Sequence, residues 1–125
     1  TDTMMLEYRV ANLNHIMIEA NYSDELLEDA ISSGSTVSST RERLLESHME
    51  LKTTEQILRT TDLTAVNEVV LLHLSGRHSN AEQFRALIAE AVGKPVYVAN
   101  PGIEINVSKI VSCTDFFDCR LLKLY

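Results

Sequence analysis

Two cysteines in 125 residues are too few for a disulfide framework, and Cys113 and Cys119 lack the CxxC spacing of a structural zinc site. They read as free thiols. No apolar run approaches the roughly 18–20 residues that cross a bilayer, and no basic segment followed by an apolar stretch marks a signal peptide. The expectation is a soluble, cytoplasmic protein that makes no membrane contact. Basic charge is scarce as well: 11 Lys and Arg stand against 18 Asp and Glu, a formal net charge of −7. Broad binding to duplex nucleic acid, which needs clustered cations to neutralise phosphates, is disfavoured. A local basic pocket or a metal that receives phosphate remains compatible with that charge. The chain also contains no HxHxDH, HExxH, GxxxxGK[ST], GxSxG or GxGxxG segment. Its opening "TDTMM" has no initiator methionine, as a trimmed or partial chain would.

What is present is the composition of one folded domain. A hydrophobic fraction of 45% with 23% charged residues suits a soluble globular chain of this length. Leu13 to Ile18 form a short apolar run ended by Glu19, Asn21 and Ser23, which predicts a buried strand with polar residues emerging at its C-terminal end. Ser23 is placed to cap a helix over "DELLEDAI", whose early acids suit the positive end of the helix dipole. "SSGSTVSST" reads as a polar break. Leu44, Leu45 and Met49, then Ile57 and Leu58, carry helical spacing, with Thr53 or Thr54 opening a second helix and His48 at the junction.

Val66 to Leu72 has few polar interruptions, as a central strand covered on both faces would. A helix then starts at Ser79 or Asn80, runs through Phe84, Leu87, Ile88 and Ala91, and stops at Gly93. "VYVA" is a short strand, "NPG" a turn, and "IEINV" an alternating strand. The tail from Ser108 has no clear period. This order predicts an α/β layered domain.

Ligand sites of α/β proteins gather at the C-terminal edge of the sheet. Glu19, His73 and Asp2 match that placement, although a lone histidine after a strand is more often an imidazole satisfied by one hydrogen bond. His48 on spacing alone is a solvent-facing helix histidine, with Glu46 and Glu50 near enough to raise its pKa. His15 and His78 have weaker claims. Arg77 is suited either to bidentate phosphate contact or to pairing with a neighbour.

In order along the chain, "TDT", "IMIEANYSDELL", "SHMELKTTEQIL", "VVLLHLSGRHSNAEQF" and "GKPVYVANPGIEI" resemble the C-terminal half of metallo-β-lactamase-fold hydrolases. The likeness is nearest the phage and bacterial branch that neighbours the tRNase Z type phosphodiesterases, and it spans about residues 1–107, leaving 108–125 as a tail. It implies half of a four-layer αββα sandwich and a site for two divalent metal ions, zinc or alternatively manganese. Asp2 matches the aspartate that bridges the metals, and His73 matches a ligand of the second metal. Glu19 and His48 fall where an acidic residue and a histidine form a proton-relay pair, and Ser75 and Arg77 are candidates for phosphate contact.

Three departures accompany the likeness. Ile18 replaces the histidine of the "HEAT" pattern and Met49 the serine of "HST", while the HxHxDH segment and the histidine after it are not in this chain. The expectation is therefore a metal-dependent phosphodiesterase or nuclease, acting on a nucleotide or nucleic acid, with only the C-terminal part of its site here. Such a half would associate with the missing half or self-associate as a homo-oligomer, because an apolar sheet face would otherwise lie open. The competing expectations are a self-associating α/β interaction domain without metal, and a thioester or lactam hydrolase of the same fold.

Overall fold

A computed structural model describes residues 10–106. Asp2, both cysteines and the tail 108–125 lie outside the described residues. Along the chain come β1 (His15–Glu19), α1 (Asp24–Ser32), α2 (Ser38–Ser47), α3 (Leu51–Thr60), β2 (Glu68–Leu72), α4 (Ala81–Val92) and β3 (Val96–Val98). The described fold is mixed α/β: four helices and one parallel sheet with β2 between β1 and β3.

Register decides which side chains share a face. Ile16, Val69 and Val96 lie abreast, as do Ile18, Leu71 and Val98. These two rows meet Leu51 and Leu58 of α3 and Phe84 and Ile88 of α4 in the main core. Because strand side chains alternate, the opposite face carries His15 with Glu68, then Met17, Val70 and Tyr97, then Glu19 with Leu72. Val70 is fully buried there, while Met17 and Tyr97 are exposed. The central-strand expectation holds, since Val69, Val70 and Leu71 are all buried.

Helix ends follow local chemistry. Ser23 Oγ accepts the Leu26 N–H and starts α1, and Asn80 Oδ1 accepts the Gln83 N–H and starts α4. Gly93 closes α4 in the left-handed region at φ 64°. The helix expected from Thr53 or Thr54 begins earlier, at Leu51, because the Glu50 carboxylate accepts the N–H groups of Lys52 and Thr53. The polar break is likewise shorter than "SSGSTVSST", as α2 already starts at Ser38.

Residues 103–106 form no strand. Asn100–Pro101–Gly102 make a turn with Gly102 at φ 84°, and its carbonyl at Asn100 takes the Ile103 N–H that a ladder would need.

Candidate functional site

Beyond β1 the chain "ANYS" stays buried from Ala20 to Ser23 although it has left the strand. Its backbone groups therefore need partners. Ala20 N–H donates to Leu72 O, Asn21 N–H to Met49 O, and Ser23 N–H to His78 O, while Leu51 N–H and Ser75 N–H donate to Tyr22 O and Asn21 O. The segment thus stitches the α2–α3 joint to the loop after β2. Thr54, fully buried on α3, adds a hydroxyl donated to the Glu19 carbonyl at 2.6 Å.

That stitching brings together three residues far apart in sequence. His48 caps the end of α2 with extended backbone, which turns its ring toward the end of β1. Its Nδ1 hydrogen-bonds Glu19 Oε1 at 2.8 Å. His73 Nδ1 lies 3.2 Å from the same oxygen, and the two rings meet edge-on with centroids 4.9 Å apart. The Glu19 side chain is 1% exposed, His48 21% and His73 42%, so the cluster grades from a buried acid to an accessible imidazole.

His73 holds this position with a left-handed backbone, φ 58°. A residue with a Cβ pays roughly 1–2 kcal/mol for that conformation. It ends β2 sharply and turns the following loop back over the sheet edge, and Asn21 Nδ2 donates to the His73 carbonyl at 2.7 Å.

The remaining sequence candidates have other surroundings. The Ser75 hydroxyl accepts the His78 N–H at 3.3 Å and faces His78 Nδ1, so it organises its own loop. Arg77 is exposed on that loop and makes no ion pair among the described residues. His78 is buried between Ser75 and Thr36 Oγ1, and burial, then the Arg77 charge, pull its pKa below 6.5. His15 pairs with Glu68 at the opposite edge of the sheet.

Glu46 and Glu50 flank His48 in sequence, while the acid hydrogen-bonded to it is Glu19. Glu50 is committed to capping α3, and burial, then the Asp24 charge, push its carboxyl up against the lowering pull of the backbone N–H groups. The same burial and the charges of Asp24 and Glu50 push Tyr22 up to about 12. Thr54 and Asn21, whose side chains donate to the Glu19 and His73 carbonyls, read from sequence only as a candidate helix start and as a polar residue at the strand end.

The donor atoms of Glu19, His48 and His73 all lie within 4.8 Å of one another. Two imidazoles and one carboxylate suit zinc or manganese, and three protein ligands leave a position open. The same residue types also suit proton transfer, because a carboxylate bonded to one imidazole nitrogen fixes the ring and its tautomer. No protein-family model, curated protein or solved structure matches the chain.

Proposed function

We propose that this chain carries the C-terminal part of a metal-dependent hydrolase site of the metallo-β-lactamase type, acting on a phosphodiester of a nucleotide or nucleic acid. The observation that carries the reading is the convergence of Glu19, His48 and His73 at the C-terminal edge of a parallel sheet. In this reading His73 and Asp2 hold divalent metal, zinc or manganese, together with ligands from the N-terminal half of the site. Such ions would supply a lowered pKa for a bound water and positive charge for the displaced oxygen.

This chain's own residues then divide the work. Glu19 fixes the His48 ring through Nδ1, so Nε2 is the atom that hands a proton to the leaving oxygen. Burial of Glu19 keeps water from competing for that bond. Arg77, exposed on the loop after His73, is available to the phosphate, and Ser75 would reach it only by giving up its bond within that loop. The face carrying Met17 and Tyr97 is where the second sheet of a four-layer sandwich would pack, supplied by the missing half or a second copy.

Elemental analysis of the purified chain, with its mass in solution, tests the reading. Zinc or manganese near stoichiometry is expected in a self-associated chain, a second copy supplying the ligands that His73 and Asp2 lack. A folded, self-associated and metal-free chain overturns it in favour of an interaction domain. The mutual distances within the cluster favour one further reading, in which Glu19, His48 and His73 all ligate a single ion. His48→Ala separates the two: as a relay variant it keeps its metal and loses roughly 10²–10⁴-fold in turnover, and as a ligand variant it loses the metal.

A further inference from the structure

We infer that Asn21 is the positioning residue of the cluster, a clamp that holds the His73 and His48 segments at the distance their rings require. The inference rests on the proposed site and names what assembles it. Asn21 is 5% exposed and sits two residues after Glu19. Three separate bonds leave it. Its Nδ2 donates to the His73 carbonyl at 2.7 Å, its carbonyl accepts the Ser75 N–H at 2.7 Å, and its N–H donates to the Met49 carbonyl at 2.9 Å. Met49 directly follows His48, so one residue is bonded to the segments of both histidines and is covalently continuous with the acid between them.

The two bonds to the β2 loop bracket Leu74 and fix the chain on both sides of it. That is where His73 adopts its left-handed backbone, uncommon for any residue with a Cβ though better tolerated by histidine than by most. Releasing the His73 carbonyl lets φ return to the ordinary region, and the ring swings away from Glu19 and His48. The amide can act in only one orientation. Flipped, Asn21 Oδ1 would face the His73 carbonyl, acceptor against acceptor, and in the observed orientation Oδ1 is buried with no donor among the described residues.

Asn21→Asp keeps the shape and removes the donor, and Asn21→Ala removes the side chain. Both are read on the full chain by NMR and by zinc titration, with Leu58→Ala as a control that weakens the helix-covered core without touching the clamp. In either folded Asn21 variant, the through-space signal between the His48 and His73 rings is expected to vanish while the His15 ring signals stay in place. Zinc affinity should fall about 10–100-fold, the range for groups that orient ligands. Leu58→Ala should keep both the ring signal and the affinity.

A folded Asn21 variant that retains the ring signal overturns the inference. So does a shift at His15 as large as that at His73, or failure of both variants to fold, since either makes Asn21 a residue of the fold rather than of the site. The ring signal needs no metal. If the unaltered chain binds no zinc and the ring signal is still lost on substitution, the hydrolase reading fails while the clamp stands.

Discussion

The two edges of the parallel sheet each carry a histidine in contact with a carboxylate, and the contrast between them shows what separates a candidate site from a pair made by strand register. At the N-terminal edge His15 and Glu68 are register partners on adjacent strands, with side chains 21% and 13% exposed. Strand pairing alone brings them together. At the C-terminal edge Glu19 is sealed in, and its two histidines arrive from the α2–α3 joint and from a left-handed strand end. Assembling that group takes a run of backbone bonds from residues 20–23 and a strained residue. The left-handed residue presents an accessible imidazole at that end, a backbone that histidine tolerates better than most side chains do.

Paired substitutions break or sharpen this contrast. Glu19→Gln should produce the largest difference: zinc affinity falls about 10–100-fold if the acid orients the histidines and further if it is a ligand, while Glu68→Gln at the other edge leaves affinity unchanged. Equal effects at both edges, measured by titration on the two folded variants, would remove the distinction. Next in size is Thr54→Val, which keeps volume but takes the buried hydroxyl from the Glu19 carbonyl. A cost of about 1–3 kcal/mol is expected in denaturant unfolding, the range for leaving a buried acceptor unsatisfied.

The sequence made some of this plain and hid the rest for physical reasons. Val66 to Leu72 announces a doubly covered strand because its apolar run is nearly continuous, and Asn80 and Gly93 mark the ends of α4 because caps are local. His48 and Glu19 were legible as a pair through the order of several segments, since neither residue has local spacing that ties it to the other. The clamp at Asn21 was not legible, because its bonds run to residues 49, 73 and 75, and no window of sequence contains them. "IEINV" misled because alternation fits an exposed strand, yet a strand also needs a free ladder beside it, and the turn at Pro101 and Gly102 takes up the first N–H.

The smallest expected effect concerns the fourth histidine, which sharpens the contrast by having no acid beside it among the described residues. His78 faces Ser75, Thr36 and the Arg77 charge, and its pKa is pulled below 6.5 by burial first and by Arg77 second. In the window from 6.5 down to the folded value the unfolded chain binds more protons, so stability contributed by neutral His78 is present above 6.5 and is lost as pH falls through the folded pKa. His78→Gln should therefore lie closest to the unaltered protein in thermal midpoint at the acid end of that window and furthest from it above pH 6.5. Arg77→Gln removes the second cause only, so the window keeps its upper end at 6.5, its lower end rises, and the acid loss should be slightly smaller. A gap between His78→Gln and the unaltered protein that stays constant across the window would mean that His78 does not titrate with unfolding, and that its role is confined to the two hydroxyl contacts.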